Sequence, residues 1–391
     1  MHRFPVFFLS VMKGISKMFI IILFSFSFSA FGQDSTIEPF TLPSARFFAL
    51  GGNHTAMADD FYSLFLNPAA FVGIDETFSA AEITLATYGP VFELIDLFRN
   101  SDNLSSDLDI SGLIGPGGFA VGLDLAGPLS LGWVGRNLGI GLFNKIRTSA
   151  AVSGTNLKPL VSVELLFVGG YSFRIVDKED HFFDAGFLAK GFFRGILNME
   201  SSILQVESLL ENPLGRVFGT NLGLGLDLGL RYTFRNNLTA ALVCYDVYSP
   251  VFISSYSSIA DFWDDASSSL VESSYATVKR RLDLGVKYRI QSAFLDRYIT
   301  GFNIMLDYRD FLDLFSLIPR NPILNIGLGV EITLLNALTF RAGITDALPA
   351  LGFGLDLSFI TLDFAMYGRE LGFDPGLQPV YAMGVSLLFR Y

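Results

Sequence analysis

From residue 222 to residue 234 the chain alternates with a period of two. Leu222, Leu224, Leu226, Leu228, Leu230, Tyr232 and Phe234 share one face, and Gly223, Gly225, Asp227, Gly229 and Arg231 share the other. Successive side chains of a strand point to opposite faces, whereas a helix would scatter those leucines around its circumference. The same alternation returns over 282–290, 324–334 and 351–359, each time with glycine and isolated charges opposite the apolar face. The solvated face of a soluble sandwich would be rich in Lys, Glu and Thr. A glycine-rich face with charges of both signs fits the crowded polar interior of a barrel whose apolar face meets lipid.

Marking every such run predicts strands near residues 76–88, 117–133, 137–150, 160–176, 181–194, 221–234, 238–248, 280–290, 298–310, 323–334, 338–346, 350–359, 360–368 and 379–391. That makes about fourteen, an even number as in bacterial single-chain barrels. Long connections at 90–116, 196–220, 249–279, 312–322 and 369–378 alternate with turn-sized ones such as Arg235-Asn236-Asn237. The connections at 153–158 and 346–349 are shorter but keep their place in the alternation. Long external loops alternating with short periplasmic turns are the habit of outer-membrane barrels. The last strand alternates Tyr381, Met383, Val385, Leu387, Phe389 and Tyr391 with Ala382, Gly384, Ser386, Leu388 and Arg390. Ending on an outward aromatic, it looks like the signal that outer-membrane assembly machinery recognises, so that machinery and outer-membrane lipid are expected partners.

The N-terminus carries Arg3, Lys13 and Lys17, then an apolar run from Met18 to Phe31 and the small residues of Ala30-Phe31-Gly32. This reads as a signal peptide over 1–32, because a run of about 14 apolar residues falls short of the roughly 20 that a spanning helix needs. Lys13 and Lys17, directly before the apolar core, also make Met12 a plausible start. Beyond it no stretch of eighteen apolar residues occurs, so the 51% hydrophobic content of these 391 residues does not belong to a polytopic helical protein. Taking those three basic residues from the 27 of the whole chain leaves 24 against 38 acidic ones, a formal charge of −14, which excludes nucleic acid as a partner. A lone cysteine, Cys244, forbids an internal disulfide, and no Cys or His cluster has metal-ligand spacing.

Residues 45–74 read ARFFALGGNHTAMADDFYSLFLNPAAFVGI and lack any period of two. The spacing allows a short helix over 55–65 that Asn67-Pro68 would end, since a residue before proline is pushed out of helical geometry. Here the chain resembles a family, the long-chain fatty-acid and aromatic-hydrocarbon transporters of outer membranes called the FadL type, with the related PorV-type barrels of spirochaetes and Bacteroidetes. The resemblance rests on Gly51-Gly52, Ala56, Ala58-Asp59-Asp60, Leu64 and Asn67-Pro68-Ala69, which stand at the family's pre-barrel positions; the glycine usual after NPA is Ala70. It implies a fourteen-stranded barrel with an N-terminal plug in its lumen. The expected organisation is therefore an all-β membrane protein: a signal peptide at 1–32, a plug at 33–75 and an antiparallel outer-membrane β-barrel of about fourteen strands at 76–391.

Catalytic readings find no support. After signal removal only His54 and His181 remain, neither in a nucleophile motif, and His181 beside Lys178-Glu179-Asp180 reads as a solvated turn residue. The glycine runs lack the Lys-Ser/Thr of a phosphate loop, so no cofactor and no metal are expected. Strand parity points Asp227, Arg231, Asp283, Lys287, Arg289, Asp307, Arg309, Glu331, Arg341, Asp356, Asp363 and Arg390 into the lumen. Most of these would brace the wall as ion pairs, while Arg231, Lys287, Arg289 or Arg341 would meet a substrate carboxylate. The loop at 90–116 places Phe92, Leu94, Leu97 and Phe98 at helical spacing, as a capture surface for a greasy ligand or as a lid on the rim. Gly127-Pro128 marks an early strand where a kink would open the wall sideways. The leading expectation is a plugged channel for hydrophobic small molecules, long-chain fatty acids being the class the resemblance implies. A PorV-like barrel that anchors a partner protein is the alternative, and an open diffusion porin comes third.

Overall fold

The computed structural model describes residues 35–75, 77–90, 119–127, 129–153, 156–199, 201–202, 215–291 and 298–390. The segment 1–32 expected as a signal peptide, the loop at 91–118 with Phe92, Leu94, Leu97 and Phe98, Pro128 and Tyr391 lie outside the described residues. Contacts divide the chain into residues 1–36 and residues 37–391.

The second unit is a closed antiparallel barrel of fourteen strands. They are β1 (Thr77–Tyr88), β2 (Phe119–Ala126 and Leu131–Gly135), β3 (Leu138–Ser153), β4 (Asn156–Lys178), β5 (His181–Asn198), β6 (Phe218–Phe234) and β7 (Leu238–Tyr248 and Pro250–Tyr256). The second half comprises β8 (Leu270–Val278 and Arg281–Arg289), β9 (Ile299–Tyr308), β10 (Ile326–Leu334), β11 (Leu338–Thr345), β12 (Leu348–Asp356), β13 (Ile360–Glu370) and β14 (Pro379–Arg390). Each pairs with the next, and β14 returns to β1 in the register Leu387↔Ile83, so no edge is left unpaired. Tight hairpins at one end use Arg136-Asn137, Arg235-Asn236 and Leu335-Asn336, whose φ angles are all positive, the geometry that matches the twist of flanking strands.

The sequence reading departs most from the structure at β2, β7 and β8. β2, expected over 117–133, is two pieces, Phe119–Ala126 and Leu131–Gly135, separated at the expected Gly127 kink. β7 and β8 continue to Tyr256 and back from Leu270, so the connection expected at 249–279 shrinks to 257–269, with a short helix at Ile259–Asp265 inside it. Serines in both extensions (Ser254, Ser255, Ser273, Ser274) mask the apolar alternation, while the backbone ladder, which ignores side chains, carries on. His181 opens β5, where its Nδ1 lies 2.7 Å from the Tyr232 hydroxyl, so it is a half-buried strand residue and not a solvated turn.

The alternation sorts the faces as expected. Leu222 and Leu224 on β6 are 60% and 63% exposed, while Asp227 beside them is 3% exposed. Exposed apolar side chains occur all round the cylinder, among them Ile83, Phe167, Phe252, Ile304, Phe340 and Val385. A continuous apolar band of this extent is the surface of a protein solvated by hydrocarbon. Among the described residues no helix is long and apolar enough to cross a membrane; the strands do the crossing.

Residues 45–74 fold inside as α1 (Ala45–Ala49), a 3-10 turn (Thr55–Met57), α2 (Ser63–Leu66) and a 3-10 helix (Pro68–Gly73). The single helix expected over 55–65 is thus two short pieces, because Ala58-Asp59-Asp60 turns outward to reach the Arg46 guanidinium. Helices of four or five residues have no stability of their own. The wall supplies it: Leu50, Met57, Phe61, Leu64, Leu66 and Phe71 are all within 2% of complete burial.

Candidate functional site

Of the motif residues, Gly51, Gly52, Asn67, Pro68 and Ala69 lie against the wall, while Asp59 and Asp60 pair with Arg46 of the insert itself. Gly51 has φ +80°, and a Cβ there would stand 2.6 Å from the carbonyl oxygens of both Leu328 and Ile344. Gly52 follows with φ +111° against the Arg309 guanidinium. From the wall side, a Cβ on Gly329 would stand 2.6 Å from His54 Nε2 and 2.7 Å from the Leu50 oxygen. Two backbones therefore touch where β10 and β11 meet the insert, which only glycine permits. This gives the glycine-rich inner face its reason.

Asn67 is completely buried. Its side-chain oxygen accepts from the Ala69 amide at 2.9 Å, and its amide donates to the Leu230 carbonyl of β6 at 3.2 Å. Pro68 occupies the first turn, where its missing N–H goes unused. Ala70, in the place of the family's glycine, is fully buried within a right-handed 3-10 turn, so no glycine is needed.

Asp59 and Asp60 receive Arg46 of α1, at 3.4 Å and 2.8 Å, and the same guanidinium reaches Glu331 of β10 at 3.3 Å. Burial works against the Arg46 charge, but Glu331, Asp59 and Asp60 outweigh it and hold its pKa above the ordinary arginine value. Glu331 also takes Arg341 of β11 at 2.9 Å, and Arg341 takes Asp363 of β13. Arg341 is therefore committed to two carboxylates and is withdrawn as a ligand-binding residue. Arg289 is withdrawn too: it sits exposed at the end of β8 and, among the described residues, reaches the Thr300 carbonyl at 3.4 Å.

Arg231 and Lys287 are different. Arg231 donates weakly to the Ala58 carbonyl at 3.4 Å, and its buried Nε has no partner among the described residues. Lys287, half-buried, makes no ion pair of its own among the described residues; it shares the field of Asp59 and Glu331 with Arg231 and Arg46. These two cations lie on β6 and β8 beside the Ala58-Asp59 bend, with spare hydrogen-bonding capacity. Of the other charges expected in the lumen, Asp227 pairs with Lys190 at 2.7 Å and Asp283 with Arg281 at 3.0 Å; Arg147 with Asp124 at 2.8 Å, Arg174 with Asp184 at 2.7 Å and Lys190 with Asp246 are pairs the sequence reading had not named.

His54 is a latch that sequence reasoning passed over. Completely buried, it lies 2.7 Å from Asp307 of β9 through Nδ1 and 2.8 Å from the Leu50 carbonyl through Nε2. Asp307 further accepts the Thr55 amide and hydroxyl, each at 2.8 Å. Strand parity alone turns Asp307 inward; the single histidine three residues after Gly51 was the available signal for its partner.

β2 breaks at Gly127, whose φ of +85° brings the Cα against the Glu82 carbonyl of β1. Asn144 of β3 stitches the break, accepting the Leu129 amide at 3.1 Å and donating to the Gly127 carbonyl at 3.2 Å. The kink expected here is present, as an irregular second strand.

No protein-family model and no curated protein sequence matches the chain. Solved structures similar to it include the CymD monoaromatic hydrocarbon channel, at 13% identity and TM-score 0.43 over 88% of this chain and 95% of that one. The Pseudomonas putida toluene transporter TodX matches at 12% and 0.45 over 91% and 99%. A Pseudomonas aeruginosa FadL homologue matches at 12% and 0.46 over 91% and 99%. The architecture assigned to the chain rests on its own strand pairing.

Proposed function

We propose that this barrel is a bacterial outer-membrane channel for hydrophobic small molecules, with its N-terminal segment on the periplasmic side and residues 33–75 as a plug. The observation that carries the reading is the lumen insert, whose motif residues lie against β5, β6, β10 and β11 and whose His54 and Thr55 bond Asp307 of β9. A lumen filled this completely does not serve free diffusion of polar solutes, so cargo has to pass around the insert or through the wall. Long-chain fatty acids are the favoured class, because the spare donors of Arg231 and Lys287 suit a carboxylate that trails an apolar chain. Phe92, Leu94, Leu97 and Phe98 are assigned to capture, Gly127-Pro128 to a side exit, and the last strand to recognition by the assembly machinery.

The test is saturable binding of a fluorescent long-chain fatty acid to the detergent-purified barrel, with and without the loop at 90–116. Binding that weakens on loop deletion supports the reading. A folded barrel that binds nothing overturns it in favour of a partner-anchoring barrel. One observation favours that second reading: Phe315, Leu317 and Ile318 project 77%, 98% and 71% exposed from an external loop that Arg320 fastens to the next two, through Asp346 and the Gly372 carbonyl.

A further inference from the structure

At the end of the barrel opposite the Arg235-Asn236 and Leu335-Asn336 turns, two connections far apart in the chain are fastened into one platform. The first, residues 309–325 between β9 and β10, carries the 3-10 helix Phe311–Phe315; the second, residues 371–378, joins β13 to β14. Arg320 of the first donates to the Gly372 carbonyl at 3.3 Å and to the Glu370 carbonyl, and it pairs with Asp346 of the β11–β12 turn at 3.0 Å. Asn321 beside it donates its backbone N–H to the Phe373 carbonyl at 2.9 Å and its side chain to Asp374 at 3.0 Å. Glu370 closes the second connection on itself, accepting the amides of Gly372, Gln378 and Gly376 at 2.8, 2.6 and 2.7 Å. Asp313 does the same for the first by accepting the Arg320 amide at 2.9 Å. Polar groups are spent inside the platform, so its shape is set before anything touches it.

What the platform turns outward is apolar. Phe315, Leu317 and Ile318 on one connection and Phe373 and Leu377 on the other are between 60% and 98% exposed. Together they bare on the order of 700 Å² of surface, close to the ~800 Å² that one side of a standard protein interface contributes. The charge around them has one prevailing sign. Asp313, Asp346, Glu370 and Asp374 stand against Arg320, whose guanidinium is consumed by Asp346 and two carbonyls. The β7–β8 hairpin at the same end adds Asp261, Asp264, Asp265 and Glu272, with no Lys or Arg from 249 to 278. Shape and charge choose the occupant between them. A lipid surface is disfavoured, because carboxylates among the apolar tips would have to enter hydrocarbon or approach anionic head groups. A second copy would bring knob against knob and acid against acid. A folded protein with an apolar groove bordered by Lys or Arg meets both the tips and the charge.

We propose that the platform of residues 309–325 and 371–378 is a docking surface for a folded partner protein that offers an apolar groove with a basic border. It stands apart from the channel reading, since nothing in it depends on what the lumen passes; channel and anchor are compatible in one molecule. The rigidity of the platform serves binding directly. Ordering loops at an interface subtracts from affinity, and here Arg320, Asn321 and Glu370 have already ordered them. Leu317 and Phe373, one from each connection, are the anchors, and the carboxylates beside them steer the approach and make it sensitive to salt.

The experiment places the photo-crosslinking residue p-benzoylphenylalanine at Leu317 or at Phe373 of the full-length protein, in cells that make it naturally. Both positions are expected to yield one and the same protein adduct. The protein found in the adduct, once purified, is the probe for the detergent-solubilised barrel. Leu317→Ser, a change at a side chain 98% exposed, is expected to weaken its binding on the order of tenfold and to leave fluorescent fatty-acid binding unchanged. Added salt is expected to weaken it as well. Different adducts from the two positions, an adduct of two copies of this chain, an adduct with lipid alone or no adduct at all overturns the proposal. A purified partner whose affinity ignores both Leu317→Ser and salt overturns it too. None of these outcomes touches the channel reading, which fails on a parent protein that binds no fatty acid.

Discussion

Single residues decide whether the insert seats. A valine at Gly329 would drive its side chain into His54 and the Leu50 carbonyl, 2.6 and 2.7 Å from the Cβ position. Gly329→Val is expected to lower stability by about 1–3 kcal/mol, the usual cost of overpacking, and to make residues 45–74 cleavable. A shifted midpoint for loss of the compact barrel band on gels, together with limited proteolysis, checks this; an unshifted midpoint and a protected insert would show that the contact yields freely. Arg231 and Lys287 stand at the same scale. Replacing Lys287 by Met is expected to weaken binding of a fluorescent fatty acid about tenfold, as loss of one charge-assisted contact does, and to leave binding of its methyl ester unchanged. Equal loss for acid and ester would assign Lys287 to wall structure alone. Both cations were legible from the period of two, which points them inward; that Arg341 is consumed by Glu331 and Asp363 was not, since partners on β10 and β13 meet only once the barrel closes.

Among the elements, the hairpin of β7 and β8 depends on a carboxylate. Asp265 accepts from the hydroxyls and amides of Ser267 and Ser268, which holds its pKa below the ordinary aspartate range. Its folded pKa is depressed, so the loop's order is fully present above the unfolded value near ~3.9 and is lost as pH falls through the lower folded value. Amide hydrogen exchange at Ser267, Ser268 and Ser269 is expected to stay slow near pH 5 and to exceed the intrinsic acid dependence below pH 4. Purely intrinsic behaviour throughout would remove Asp265 from that role. This hairpin was the part of the wall least visible beforehand, because serine and glutamate populate both faces of 270–274 and erase the alternation on which strand assignment rests. The insert was visible as non-strand from its lack of period, while its break into α1, α2 and two 3-10 turns follows the shape of the lumen.

For the whole molecule, the barrel and its filling are separable by physical reasoning. The fourteen strands close on themselves through backbone bonds, whereas residues 45–74 are held by side chains and by glycine contacts. Deleting residues 37–75 is expected to leave a heat-resistant barrel that conducts ions steadily in planar bilayers, where the intact protein conducts little. A deleted form that fails to assemble, or one that conducts no more than the intact chain, would contradict that separation.

What the sequence determined by itself was the class of fold, its strand count and the facing of nearly every wall residue, because a strand in lipid has to show apolar side chains on alternate positions whatever its neighbours are. The Gly-Gly and Asn-Pro-Ala positions carried a family resemblance, and only that resemblance implied an insert. Only the tertiary structure decided which charges are spent on each other, where the wall loses register and which loops join into one surface. Those properties come from pairing between segments far apart in the chain, such as His54 with Asp307 and Ile37 with Lys279, and no local pattern encodes a distance that exists only after closure.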